Sequence, residues 1–445
     1  MNQPARTIPL RIVVLDDDPT GSQTVHGNLL LLKWGPQQLR EALTDAVPFF
    51  YVLTNTRAMT SERARQTVHD VVAAVTRADE ASGQRLLFVS RSDSTLRGHF
   101  PVEVDEIRQC LGAGGAPDAL FVVPAFFEGG RFTRNGTHYL VENGQARPCH
   151  ETEFARDSVF GYASSHLPAW IQEKTAGRVP QAMVRVLDRG VLHDPPRLRD
   201  FIGSLHGNAH VAVDAEDYRD LEALAAAVRE AMDKGARFLF QSAASMVKAL
   251  TATPDKPLLT AGDIGSRPGP GLVVAGSHVS RTSRQIETLL QLPGVQAVEI
   301  DVEQALASQA RRDEILGDVH RQVSRCAQAG LTPVVMTSRR EVLFADPAAR
   351  QAAGETVANL LAAIVQDLPY KPAFVVLKGG ITSHVVMDRG LHIRVARVLG
   401  QILPGVSVIR LGGDHPMGAM PLAIFPGNVG DDDALREVLL RMRTP

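Results

Sequence analysis

Short apolar, β-rich runs alternate along this chain with longer stretches of helical periodicity, and no other feature narrows the fold as much. Ile12–Leu15, Phe49–Leu53, Leu86–Val89 and Ala119–Val123 are apolar runs bounded by charge or turn residues, and they read as buried strands. Between them, Ser61–Arg77 and Pro101–Leu111 carry apolar residues at three- and four-residue spacing, the signature of a helix with one buried face. The pattern returns as strand Val211–Val213, helix Asp217–Lys234 and strand Phe238–Phe240. Alternation of this kind predicts a parallel sheet covered by helices.

Proline and glycine cluster over Thr253–Gly271, which reads as a linker. A second series follows: strand Leu272–Ala275, helix Ser280–Leu290, strand Ala297–Ile300, helix Arg312–Ala329 and strand Pro333–Met336. Helix Ala352–Gln366, strands Ala373–Leu377 and Leu422–Phe425, and a closing helix from Asp431 complete it. The expectation is an α/β chain of two domains, 1–255 and 268–445, divided near residue 260, each a mostly parallel sheet covered by helices. A length of 445 residues suits that division at ~100–200 residues per domain.

Composition excludes several classes of function. Lys and Arg number 47 against 49 Asp and Glu, so no overall basic field awaits a nucleic acid or an anionic membrane. Cys110, Cys149 and Cys326 lie far apart without a CxxC pair, which argues against a disulfide framework or a thiolate zinc site and fits a reducing cytoplasm. Met1–Leu10 lacks a basic segment followed by an apolar one, and uninterrupted apolar runs fall well short of the ~18 residues that suggest a spanning helix. The expectation is therefore a cytoplasmic protein with no membrane and no nucleic-acid partner. There is no GxxxxGK[ST] loop, no HExxH zinc motif and no GxSxG elbow. His99, His138 and His278 read as cap or packing residues rather than a metal triad. No protein-held metal is expected, and Mg²⁺ would arrive on phosphates.

In open α/β sheets ligands gather beyond the carboxyl ends of strands. After Ile12–Leu15 comes Asp16-Asp17-Asp18-Pro19-Thr20-Gly21, whose adjacent carboxylates repel unless a cation or a hydroxyl ligand meets them. An Asx-type turn is the structural alternative. After Leu86–Val89, the segment Ser90–Gly98 packs hydroxyls, Asp93, Arg91 and Arg97 into one loop. Arginine suits bidentate capture of a carboxylate or phosphate, and Asp93 suits proton acceptance; a serine-rich turn into a helix is the alternative. Asn55-Thr56-Arg57 adds a third polar exit. Pro124–Asn135-Gly136, with Gly129-Gly130 and Arg131, reads equally as a close backbone approach to a ligand and as an Asn-Gly hairpin.

The second half has three glycine-bearing exits: Gly276-Ser277-His278-Val279-Ser280, Lys378-Gly379-Gly380-Ile381-Thr382 and Pro426-Gly427-Asn428-Val429-Gly430. A Gly-Ser turn feeding a helix presents free N–H groups and the positive dipole end to a phosphate, although Ser280 reads equally as a plain N-cap.

DDPTG at Asp17–Gly21, SDSTLRG at Ser92–Gly98, the PAF…GR…NG stretch, Glu151–Asp157, GSHVSRTSRQ, the Gly-Gly loop with Thr382 and the final PGNVGDDDAL together resemble the four-carbon acid sugar kinases. The resemblance covers nearly the whole chain. It implies an N-terminal domain for the acid sugar, a C-terminal domain for ATP with Mg²⁺, a reaction in the cleft between them, and phosphorylation of threonate, erythronate or 3-oxo-tetronate at the terminal hydroxyl. It makes Asp17, Asp93 and Arg97 the catalytic candidates, and Asp18, Thr20, Arg57, Ser92, Ser94 and Arg131 the substrate-binding ones. Ser277, Ser280, Gly379, Gly380, Thr382, Gly427 and Asn428 would line the nucleotide. The chain departs from the pattern at Ile381, where many members carry an acid, and at FPGNVG, where many carry a Lys-Ser-Gly-like stretch. A kinase of another small hydroxy acid and a non-catalytic sugar-acid or nucleotide sensor are the alternatives, and a homo-oligomer is left open.

Overall fold

The computed structural model describes residues 9–80, 83–142, 144–277, 279–339, 342, 346–427 and 429–443. Two compact units divide between Asp255 and Lys256.

The first unit is built on a parallel sheet. In chain order its strands are β1 (Leu10–Asp16), β2 (Leu29–Leu31), β3 (Phe49–Leu53), β4 (Arg85–Arg91) and β5 (Ala119–Val123). A separate antiparallel set follows, β6 (Arg131–Arg134), β7 (Thr137–Glu142) and β8 (Gln145–Pro148); β9 (Arg185–Leu187), β10 (Ala209–Val213) and β11 (Phe238–Ser242) return to the main sheet. The spatial order β2-β3-β1-β4-β11-β5-β10-β9 puts β1 between β3 and β4, with Asp16 level with both Leu53 and Arg91. Three polar exits therefore open side by side. Helix Ser61–Asp79 starts on Thr60, whose hydroxyl accepts from the Arg63 N–H, and buries Val68, Val71, Val72 and Val75. Each such valine is worth about 1.5–3 kcal/mol over exposure. Helix Tyr218–Asp233 starts on a capping box between Asp217 and Asp220.

The Asn135-Gly136 alternative resolves as a hairpin. Both residues have positive φ, 50° and 71°, and join β6 to β7, whose Phe132 and Tyr139 stack at 5.3 Å.

The second unit holds β12 (Leu272–Ala275), β13 (Val295–Ile300), β14 (Thr332–Thr337), β15 (Val375–Lys378), β16 (Val395–Leu403), β17 (Val406–Leu411) and β18 (Pro421–Phe425). Their order is β13-β14-β12-β15-β18-β17-β16, with β17 antiparallel to both its neighbours, β18 and β16, and the other pairs parallel. Leu259 and Ile264 sit in this unit's core, so the Pro/Gly-rich stretch packs here, and its short helix Ala261–Ile264 is capped by Thr260. The closing helix is Ala434–Met442, starting three residues later than the acid run that leads into it.

The expected strands are present, but several extend further than their apolar runs. Asp16, Arg91, Gln241, Ser242 and Lys378 continue the ladders although their side chains are polar. β2 is too short to show a pattern. β16 alternates in burial and shifts register at Gly400, and the buried β17 is broken by Ser407 and Arg410, which hides both from a search for continuous apolar runs.

Gly271 lies against the buried Phe374 ring, where a Cβ would come within 2.3 Å, whereas at Gly203 it would meet nothing. Gly271→Ala is expected to destabilise the chain by about 1–3 kcal/mol and Gly203→Ala to change it by less than about 0.5 kcal/mol. Urea midpoints check this, and equal midpoints for the two variants would contradict that packing.

Candidate functional site

The carboxylates after β1 are met by guanidinium groups from the neighbouring exits. Arg57, after β3, holds Asp17 through two hydrogen bonds, Nη2 to Oδ1 at 2.5 Å and Nε to Oδ2 at 3.0 Å. Its Nη1 also lies 3.4 Å from Asp18 and 3.8 Å from Asp93. Arg91, at the end of β4, lies 3.1 Å from Asp16 and 3.6 Å from Asp17. The Ser92 hydroxyl donates to Asp17 at 2.9 Å, and the Thr20 N–H and hydroxyl both donate to Asp18. Asp93 receives Arg97 Nε at 2.7 Å and the Thr95 hydroxyl; Arg97 also lies over the Phe154 ring and 3.6 Å from Asp157. Asp17, Asp18, Thr20, Arg57, Ser92, Asp93 and Arg97 thus form one network.

Backbone geometry explains the glycines of both motifs. A Cβ at Gly21 would fall 2.1 Å from the Asp16 carboxylate, and at Gly98 (φ 126°) 2.3 Å from Ser92 Oγ. The loop from Ser92 to Gly98 is held from outside as well. His138 Nε2 lies 2.8 Å from the Ser94 carbonyl and its Nδ1 2.9 Å from Thr133 Oγ1, while Tyr162 OH donates to the Thr95 carbonyl at 2.8 Å. Burial pushes His138 down to about 4, so it is a neutral hydrogen-bonding strut. Ser94 is buried, and its backbone carbonyl is the group tied to His138. His99 is buried too, with Nε2 near the carbonyls of Thr56 and Met59.

Asp93, Arg97, Phe100, Trp170, Gln241 and Ser242 line a cavity beside this network. Gln241 Oε1 and Ser242 Oγ have no hydrogen-bond partner among the described residues. These two directly follow the apolar run Phe238–Phe240, and the strand-exit rule applied at that run would have found them. Arg131 makes no ion pair among the described residues; its guanidinium lies 5.8 Å from the Phe126 ring centre and its Nε lacks a partner. Gly129 leaves it room, since a Cβ there would sit 2.0 Å from Arg131 Nη1.

The charges are not equivalent. Burial raises Asp16 to about 7 against the pull of Arg91, and Asp16 Oδ2 is unpartnered. Burial and the Asp17 charge raise Glu103, which accepts from Thr56 and Ser90, to about 7. Burial acts upward on Asp93 too, but Arg57 and Arg97 outweigh it and hold this carboxyl well below its usual range. Asp18 is lowered in the same sense by Arg57 and Thr20.

In the second unit β12, β15 and β18 are neighbours, so the three glycine-bearing exits lie together. Gly379 has φ 105° and donates its N–H to the Phe425 carbonyl at 2.8 Å. A Cβ at Gly276 would meet the buried Thr382 hydroxyl at 2.5 Å, and one at Gly379 would lie 3.7 Å from Ser277. Ser277, Gly379, Gly380, Thr382 and Gly427 are in this cluster. Val279 occupies the N-cap of helix Ser280–Leu289, which corrects the reading of Ser280 as the cap; Ser280 is the first helical residue. Ile381 is 69% exposed. Asn428 and His278 lie outside the described residues. Among those residues, the one group of three metal-type ligands is His69, Glu106 and Cys110, on helices Ser61–Asp79 and Val102–Gly115.

Residues 12–250 match the profile of a sugar-binding N-terminal domain, and residues 272–435 that of a nucleotide-binding C-terminal domain. The chain belongs to the four-carbon acid sugar kinase family. Within this family it is 28% identical over 440 residues to D-threonate kinase of Bordetella bronchiseptica, covering 95% of each chain. It is 28% identical to D-erythronate kinase of Heliobacterium modesticaldum over 228 residues, 48% of this chain and 47% of that one. A crystal structure from Salmonella typhimurium LT2, described as a tRNA synthase, has the same fold at TM-score 0.73 and 19% identity, over 98% of this chain and 100% of that one. No helix among the described residues is long and apolar enough to cross a membrane.

The raised carboxyls set a pH signature. A folded pKa above the unfolded one favours folding while the group stays protonated, so Asp16 and Glu103 contribute stability below about pH 4 that is lost as pH rises to 7. Asp93 and Asp18, lowered, contribute above their unfolded pKa and lose that contribution as pH falls further. Stability against urea is expected to fall by more than ~1 kcal/mol between pH 5 and pH 7.5, and Asp16→Asn to flatten that slope. An unchanged slope in the variant would remove Asp16 as its source.

Proposed function

We propose that this chain transfers the terminal phosphoryl group of ATP, taken up as its magnesium complex, to the terminal hydroxyl of a four-carbon acid sugar of the threonate, erythronate or 3-oxo-tetronate type, giving the 4-phosphate. The observation that carries the acceptor side is the network of Asp17, Arg57, Asp93 and Arg97 at the exits of β1, β3 and β4, with the unpartnered Gln241 Oε1 and Ser242 Oγ beside it. Such a cluster offers acceptors and donors for hydroxyls. Arg131, a cation without an ion-pair partner among the described residues, suits the acid's carboxylate. The sugar-binding and nucleotide-binding profiles and the kinase names of the relatives support the same reading.

In the proposed reaction the acceptor oxygen forms a bond to the γ-phosphorus as the bond to the β-phosphate oxygen breaks. Charge spreads over the transferring group, so alignment and neutralisation matter more than a strong base. Asp17 and Asp93, each fixed by arginine, would accept hydrogen bonds from substrate hydroxyls and orient the nucleophile. A carboxylate as acidic as Asp93 orients well and takes the proton only late, as the new bond forms. Arg97 would stabilise negative charge at the acceptor. On the donor side, Ser277, Ser280, Gly379, Gly380, Thr382, Gly427 and Asn428 are proposed to surround the nucleotide. Mg²⁺ is proposed to arrive on the phosphates.

An ADP-release assay with Mg-ATP against D- and L-threonate, D- and L-erythronate and 3-oxo acids, with C3, C5 and C6 acids as controls, is expected to give a C4 hit whose product mass corresponds to a monophosphate. Turnover confined to acids of another length would replace the substrate, and silence with intact ATP binding would defeat the C4 assignment. Asp93→Asn is expected to lower turnover by ~10²-fold or more with ADP affinity unchanged. Arg131→Ala is expected to raise KM for the acid by ~10-fold or more while leaving KM for ATP alone. Wild-type KM for the acid in that variant would take Arg131 out of the pocket.

A further inference from the structure

Lys378 ends β15 with its side chain wholly buried, an unusual place for an ammonium. Its Nζ donates to the Pro426 carbonyl at 2.7 Å, lies 3.4 Å from the Gly427 carbonyl, and sits 3.9 Å from the centre of the Phe425 ring. Phe425 is its partner across the β15–β18 ladder. No carboxylate pairs with it among the described residues. The charged group acting on it is another cation, Arg281 in the first turn of helix Ser280–Leu289. A buried cation facing a second cation, amid carbonyls and a ring, lacks a counter-charge.

We propose that Lys378 is a positioning residue for the phosphates of the nucleotide: its ammonium ties the exit of β15 to the Pro426–Gly427 backbone, and nucleotide binding draws a proton onto Nζ. The inference rests on the nucleotide reading of these loops. Two carbonyls and the Phe425 ring hold the amine whether or not it is charged. Arriving phosphate supplies the missing negative charge and raises the amine's proton affinity. The protonated form then clamps two neighbouring exits. Burial, with Arg281 adding to it, lowers Lys378 to about 7, so near pH 8 most of the nucleotide-free protein carries it neutral. From β18 and its loop the amine meets carbonyls and the Phe425 ring, and from helix Ser280–Leu289 it meets Arg281; these are the groups that govern its titration.

The test is calorimetric titration of wild-type protein with ADP at pH 8, where ADP is itself fully ionised, in two buffers of different ionisation enthalpy. Uptake of roughly 0.5–1 proton per ADP is expected, shrinking toward pH 6. Lys378→Met is expected to abolish the uptake, weaken ADP by ~10-fold or more and raise KM for ATP while leaving KM for the acid unchanged. Lys378→Arg, always charged, should bind ADP within a few-fold of wild type without uptake. Wild-type binding with no buffer dependence at pH 8 overturns the proposal, and so does a Lys378→Met protein that keeps the same uptake. Should Lys378→Met fail to fold, the wild-type and Lys378→Arg titrations decide. A wild type that binds no ADP at all overturns the nucleotide reading itself, and this inference with it.

Discussion

The bidentate pair between Arg57 and Asp17 is the interaction on which the acid-rich end of the first unit depends. Three consecutive aspartates after a buried strand repel one another, and the fold tolerates them because β3 and β4 flank β1 and deliver Arg57 and Arg91 beside them. Burial of so much charge is costly unless it is met, and the hydroxyls of Ser92, Thr20 and Thr95 add to the arginines, leaving Asp16 Oδ2 without a partner among the described residues and its carboxyl raised by burial. The side chains of the network therefore hold one another in place. Such order is what the proposed phosphoryl transfer would ask of an acceptor pocket, since the chemistry gains from prepaid alignment.

The two units use the same sheet-exit logic with opposite materials. At the first, side chains crowd the exits, and glycine appears at Gly21 and Gly98 because a Cβ would strike Asp16 or Ser92. At the second, the exits are mostly backbone. Gly379 takes a conformation that favours glycine, Thr382 lies under Gly276, and Lys378 is the one fully buried ionisable side chain of this unit among the described residues. Carboxylates and guanidinium groups can sort the hydroxyls of a small acid, while N–H groups and one adjustable cation suit an anion of high charge density.

Much of the first site was legible because its residues come in compact motifs directly after apolar runs. Asp17, Asp93 and Arg97 needed no contact map to attract attention. Arg57 stood out locally only as part of a weak polar exit and was singled out by the family resemblance, since its value lies in reaching Asp17 across 40 positions of sequence. Gln241 and Ser242 escaped because the exit after Phe238–Phe240 carries no dense polar motif of the kind that marks Asp16–Gly21 and Ser90–Gly98. Lys378 was named only as the first residue of a glycine-bearing exit, and nothing local says that it is buried.

The sequence by itself determined the alternating α/β plan, the polar strand exits and the glycines that let backbone and side chains approach there, because these follow from periodicity and local sterics. Tertiary structure alone decided which exits are neighbours, which arginine answers which aspartate, that Ser280 follows the cap rather than forming it, and that Arg131 and Lys378 lack a counter-ion among the described residues. Strand order and burial set those outcomes, and both depend on which distant segments pack together. Charge pairing is a property of that packing, and it leaves no periodicity in the chain.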